Sequence, residues 1–123
     1  MASKSKKFRE IALYRVLCNF NTEMTDALIE MRNDVKMFYG ENLINKSLNL
    51  LYLIKKAYKD SEPAKKIDII DNIISDVAII GDVLYFLNKS KYLSQKKYTK
   101  LMAHIGNIDV QGDMWINALK NKK

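Results

Sequence analysis

Apolar residues recur along this chain at steps of three and four in four stretches, the spacing that lines one face of an α-helix. The first stretch runs from about Phe8 to Ile29, with Phe8, Ile11, Ala12, Val16, Phe20, Met24, Ala27, Leu28 and Met31 inward. Met31-Arg32-Asn33-Asp34 reads as a tight connection, in which Asn33 or Asp34 can accept hydrogen bonds from the next helix's free N–H groups. The second helix is predicted from about Val35 to Lys59, with Met37, Ile44, Leu48, Leu51, Ile54 and Tyr58 inward. Leu43, Leu50 and Leu53 fall on an adjoining face, making its apolar surface wider than a two-helix seam needs.

Asp60-Ser61-Glu62-Pro63 closes that helix, with Ser61 as the expected N-cap of the next and Pro63 in its first turn. The third helix is predicted over Pro63 to Lys89, with Ile67, Ile70, Ile74, Val77, Leu84 and Leu87 inward. Ile73 and Ile80 widen the stripe, while Ile79 and Phe86 fall outside it. Gly81 lies on the inward face, and its cost of about 1 kcal/mol in helix propensity points to close approach of a neighbouring helix. After a loop at Ser90 to Leu93, Ser94 is the expected N-cap of a fourth helix whose stripe is Tyr98, Leu101, Ile105, Ile108, Gly112, Trp115 and Leu119. Gly106 and Gly112 weaken its later turns, and the tail from about Lys120 to Lys123 is expected to fray.

Spans of about 22 to 27 residues make helices roughly 33 to 40 Å long. Four of similar length joined by short links predict an all-α, antiparallel, up-down-up-down four-helix bundle. The 123 residues amount to one domain over 1–123, with a basic N-terminal arm at about 1–7. Hydrophobic residues make up 48% of the chain, ample for a core, and one Pro with four Gly argues against a turn-rich β fold.

Chemistry is sparse. One Cys and one His preclude an internal disulfide and a zinc site within one chain. His104 has no carboxylate or nucleophile spaced to orient it as a general base, and Cys18 reads as a packing residue. Asp68, Asp71, Asp76 and Asp82 on the third helix read as a solvated acidic face, because a di-metal bundle needs inward Glu and Glu-x-x-His pairs. Neither phosphate-binding glycine motif is present. No enzyme activity, cofactor, metal or small-molecule substrate is expected. No apolar signal region follows Met1-Ala2-Ser3-Lys4 and no run of about 18 apolar residues occurs, so the expected setting is the cytoplasm, without a membrane partner.

Charge changes the picture more than any motif. The net +7 is unevenly spread: residues 1–10 carry Lys4, Lys6, Lys7 and Arg9 against Glu10, and the second helix carries Lys36, Lys46, Lys55, Lys56 and Lys59. A third cluster, Lys91, Lys96, Lys97 and Lys100, surrounds the start of the fourth helix. Lysines at a helix C-terminus complement the dipole, which accounts for Lys55, Lys56 and Lys59; Lys96 and Lys97 in a first turn have no such reason. These residues are the candidate nucleic-acid contacts, since phosphate binding by Lys needs no base-specific motif. Tyr92 and Tyr98 flank the third cluster, where Tyr92 can stack on bases and Tyr98 suits the core. In an up-down bundle, the clusters ending the second helix and starting the fourth lie at opposite ends of a monomer.

The run Met31-Arg-Asn-Asp-Val-Lys-Met-Phe-Tyr-Gly40-Glu-Asn-Leu43, followed by Leu50-Leu-Tyr-Leu-Ile-Lys-Lys-Ala57, resembles a known four-helix-bundle family. That family includes the accessory variability determinant proteins of diversity-generating retroelements and the proteins encoded in rRNA intervening sequences. Tyr92-Leu-Ser-Gln-Lys-Lys-Tyr98 through Ile105-Gly106 to Gly112-Asp-Met-Trp115 is similar to the family's start and close of helix four. The likeness spans nearly the whole chain but departs at Met31-Arg32, where the family commonly has Phe-Pro. It implies a homopentameric basic barrel that binds nucleic acid and associates with the retroelement's reverse transcriptase. The partners so implied are the polymerase, template RNA and cDNA in mutagenic retrohoming, and further copies of the chain. Independently of the resemblance, Leu43, Leu50, Leu53, Ile79 and Phe86 are the apolar surplus expected at an oligomer interface. Five copies at +7 would carry about +35, enough to hold a structured RNA with steep salt dependence. The alternative is a structural or protein-interaction bundle of the rRNA intervening-sequence type, without a polymerase partner.

Overall fold

The computed structural model describes residues 11–121, and within them four long helices pack in cyclic order around one core. α1 is Ala12–Glu30 and α2 is Glu41–Lys59; α2 is entered through a single turn, Asn33–Val35, and a π-helical segment, Lys36–Gly40. α3 is Pro63–Lys89 and α4 is Gln95–Lys120. The principal contacts are α1 with α2, α2 with α3, α3 with α4, and α4 with α1. The described residues contain no strand, and no helix among them is long and apolar enough to cross a membrane. The described residues are thus all-helical and compatible with a four-helix bundle.

Local chemistry sets the boundaries. Pro63 stands in the first turn of α3, where its missing N–H has no partner to lose. Ser61 is not the cap expected there: Glu62 holds the N-cap position, and Asp60 Oδ1 instead accepts the Glu62 N–H at 2.9 Å. Ser94 caps α4 as its position predicts, Oγ accepting the Lys97 N–H at 3.2 Å. Asp34 Oδ1 accepts the Val35 N–H at 2.9 Å. At the far end of α2, Lys66 Nζ donates to the carbonyls of Ala57 and Tyr58 at 3.1 and 3.2 Å, satisfying acceptors the helix leaves open. α4 runs unbroken past Gly106 and Gly112 to Lys120.

The core differs from the expected stripes most in α1 and α2; in α3 and α4, Ile67, Ile74, Tyr98 and Trp115, expected inward, are half-buried against it. In α1 the buried face is centred on Leu13, Leu17, Phe20, Met24 and Ala27, with Val16 only half-buried. In α2, Leu43 and Leu50 are fully buried among the other core residues, while Leu48, expected inward, is exposed. Leu43 and Leu50 are therefore core residues, not oligomer contacts, and Leu53 packs half-buried against the same core. Within α2 the buried face runs through Leu43, Ser47, Leu50, Ile54 and Ala57, one residue off the face through Ile44, Leu48 and Leu51; upstream, the i→i+5 turns of the π segment hold an extra residue. Val35 and Gly40 stay buried while Met37, Phe38 and Tyr39 between them all face outward, so Met37 is not the inward residue its spacing predicts.

Gly81 is inward as expected and meets α4, but a Cβ there would touch Ile105 Cδ1 at an ordinary 3.4 Å. The tight approach is at Gly112, on the opposite side of the same α3–α4 interface. Asn21 links α1 to α2 by a polar route, its Nδ2 donating to Leu17 O at 2.9 Å and to Ser47 O at 3.3 Å. Ser47 itself is fully buried, small enough to leave room at that contact.

Candidate nucleic-acid interface

The α1–α2 junction and the α3–α4 loop meet. Glu30, the last residue of α1, pairs with Lys97 at 3.8 Å, and the Arg32 guanidinium lies 5.5 Å from the centre of the Tyr92 ring. A shallow recess between the two segments is lined by Asp34, Val35, Phe38, Tyr39 and Tyr92. Phe38 is 82% exposed and Met37 84%, an extreme degree for residues of this size. The π segment produces this exposure, and such turns recur at functional sites.

The loop is shaped by the end of α3. The Tyr92 N–H bonds to Leu87 O at 2.9 Å and the Lys91 N–H to Asn88 O at 3.0 Å, the paired bonds of a Schellman motif. The residue at its left-handed position is Lys91, with φ at 67°. Glycine usually stands there, because a Cβ costs roughly 1–2 kcal/mol in that conformation. A cation is thus held in a strained backbone position next to the ring that Arg32 covers.

Arg32 is fixed from its other side by Asp34: Nε donates to Oδ1 at 3.1 Å and Nη2 to Oδ2 at 2.5 Å, a bidentate pair. The Arg32 hydrogen bond, together with the Val35 N–H and the guanidinium charge, holds the Asp34 carboxyl below its ordinary value despite some desolvation. Arg32 is therefore neutralised locally and acts as a flat platform under Tyr92 more than as a free charge.

The sequence candidates divide on this geometry. Lys36 lies in the π segment and Lys91 beside Tyr92, so both belong to the neighbourhood of the recess. Lys96 and Lys100 are exposed on the first turns of α4. Lys97 is different: its side chain is only 18% exposed and is paired with the exposed Glu30 of α1. Lys46 lines a separate shallow groove between α2 and α3 with Asn45, Asn49, Asp76 and Ile79, where a carboxylate shares the wall. Lys55, Lys56 and Lys59 are exposed on the last turns of α2, away from the recess residues. Lys4, Lys6, Lys7 and Arg9 lie outside the described residues.

Among the interface candidates, Ile79 and Phe86 are exposed, at 53% and 58%, seven residues apart on α3. Asp68, Asp71 and Asp82 are exposed on the same helix, and no group of three or more potential metal ligands is placed together among the described residues. The sequence reading missed Phe38, Tyr39 and Arg32. One signal was available: three consecutive large residues, Met37-Phe38-Tyr39, cannot all face the core of an α-helix.

Compared with known proteins, the chain matches no family model, no curated protein and no solved structure.

Proposed function

We propose that this chain is a non-catalytic nucleic-acid-binding subunit, acting in the cytoplasm as part of an oligomer. The observation that carries the reading is the junction itself: exposed Phe38, the Arg32-backed Tyr92 ring and the strained Lys91 at one site, with Lys96 and Lys100 on the adjoining α4. Lysines attract phosphate at any sequence, and exposed rings accept bases, so the pair suits nucleic acid without a catalytic residue.

The finer reading draws on the motif resemblance. On it, the four helices run up-down-up-down, which their short links and the Glu30–Lys97 pair support. Five copies assemble through faces that include Ile79 and Phe86, and the oligomer accompanies a reverse transcriptase and its template RNA in cDNA synthesis for mutagenic retrohoming. A second reading, a protein-interaction bundle without a polymerase, draws on the exposed apolar residues Leu48, Tyr52, Ile79 and Phe86 of α2 and α3.

A salt titration of RNA binding by the purified protein, alone and with the polymerase, tests the first reading. Affinity should fall several-hundredfold or more between about 50 and 200 mM salt if six or so phosphates are contacted per complex. Absence of binding at low salt, or binding indifferent to salt, overturns it. Solution mass tests the assembly separately, and a clean monomer at micromolar concentration contradicts the oligomer.

A further inference from the structure

We infer that the recess between the π segment and the α3–α4 loop receives an unpaired nucleobase, so that the chain holds single-stranded nucleic acid in preference to duplex. The inference rests on the nucleic-acid reading above and names the form of the ligand. Phe38, Tyr39 and Tyr92 supply three aromatic walls to one recess, and every base offers a face that such rings can stack on. The Tyr92 ring is held in place by Arg32 beside it. Its own mobility is therefore already restricted before a ligand arrives, which lowers the ordering cost of stacking.

The charge distribution separates base from backbone. Asp34 stands on the recess wall as a carboxylate that already occupies the Arg32 guanidinium, so the recess lining offers a phosphate no free cation. Oδ1 already accepts from Arg32 Nε and the Val35 N–H, whereas Oδ2 accepts only from Arg32 Nη2 among these bonds. Oδ2 retains capacity for an amino or imino N–H on a base edge. The cations nearest in sequence, Lys36 and Lys91, lie outside the recess lining, where the sugar-phosphate chain would run. A base inside, against rings and a paired carboxylate, and phosphates outside, near the lysines, fits that distribution. A duplex cannot adopt that arrangement without unpairing, because its bases are stacked and its phosphates form the outer surface.

The test compares a fluorescein-labelled 12-nucleotide RNA with its duplex by anisotropy at low salt, for the wild type, Phe38→Ala, Tyr92→Ala and Tyr92→Phe. The same strand carrying 2-aminopurine reports stacking directly. Single strand is expected to bind about tenfold more tightly than duplex. Phe38→Ala and Tyr92→Ala should each remove about tenfold of single-strand affinity, the size of one lost stack, with the 2-aminopurine quenching and with little change for duplex. Tyr92→Phe should bind like wild type. Since Phe38 is exposed, its removal leaves the core intact, and a melting curve for that variant checks the fold. Equal affinity for the two forms, or unchanged single-strand binding in Phe38→Ala, overturns the inference while leaving a charge-only interface standing. Binding of neither form overturns the nucleic-acid reading itself. A change in solution mass of Phe38→Ala without a change in RNA affinity assigns the recess to a protein contact and overturns the inference too.

Discussion

Gly112 of α4 faces Ile74 of α3 so closely that a Cβ on the glycine would stand 2.9 Å from Ile74 Cδ1 and 3.1 Å from its Cγ1. Gly106, six residues earlier on the same helix, has nothing within 4 Å of the same position. Both glycines cost helix propensity, but only one has a packing reason. Gly106→Ala should raise stability by up to about 1 kcal/mol. Gly112→Ala should be less stable than Gly106→Ala by about 1–3 kcal/mol, the cost of overpacking. Urea denaturation of the two variants measures the difference, and Ile74→Val in the Gly112→Ala background should recover part of it. Equal effects of the two alanines would show that Ile74 moves freely.

Lys91 separates stability from function. Replacing it with glycine relieves the left-handed strain and should stabilise the fold by about 1 kcal/mol, a rise of about 4 °C in Tm. The same change removes a cation beside Tyr92 and should weaken RNA binding, with the salt slope smaller by about one. Lys91→Asn tolerates the backbone and also lacks the charge, so it should bind as weakly as the glycine variant. A glycine variant that gains stability and binds RNA unchanged would leave the strain without a use.

Two carboxyls respond to pH in opposite directions. Burial raises the Asp109 carboxyl above its ordinary value, and the neighbouring Asp113 charge adds to this. The folded state therefore holds that proton more tightly than the unfolded one, and stability falls as pH rises through the raised value. Asp109→Asn should be more stable than wild type at neutral pH, with the advantage gone near pH 3. Asp34 is the reverse: Arg32 lowers its carboxyl, so its contribution is present above the usual carboxylate range and lost as pH drops through the lowered value. Carboxyl NMR should place Asp34 below an ordinary aspartate, and Arg32→Ala should move it up.

Lys66 closes α2 from outside the helix. Its two bonds to Ala57 O and Tyr58 O should make Lys66→Met cost about 1–2 kcal/mol by denaturant titration, whereas Lys65→Met, exposed and only 3.6 Å from Glu62, should fall within about 0.5 kcal/mol of wild type. Indistinguishable variants would remove the capping role.

Helix positions were legible because the chain punctuates itself. Pro63 and the Ser90–Leu93 segment bound α3 at the residues where the periodicity stops, and Ser94 caps α4 as its type suggests. What failed was rotation within a helix. The faces through Ile44, Leu48, Leu51 and through Leu43, Ser47, Leu50 both have helical spacing, and the chain buries the second, while the π segment turns Met37 outward upstream of it. In α1, Val16 and Leu17 are adjacent and equally apolar, so periodicity alone could not choose the buried one. Gly81 drew attention by lying on the inward stripe, but the close contact at Gly112 depends on where Ile74 falls on the partner helix. The site was half legible. Lysine clustering and Tyr92 are visible in the chain, whereas the left-handed Lys91 has no sequence mark, since its position usually announces itself with glycine.

The π segment also divides the chain into two independently adjustable parts. Because the surplus residue is absorbed between Val35 and Gly40, deleting one residue there would return the entry to ordinary helix and swing the outward triplet around the axis. Leu43, Leu50 and Ile54 downstream would keep their seats in the core. A one-residue change in length, normally ruinous inside a helix, acts here as a dial on the surface.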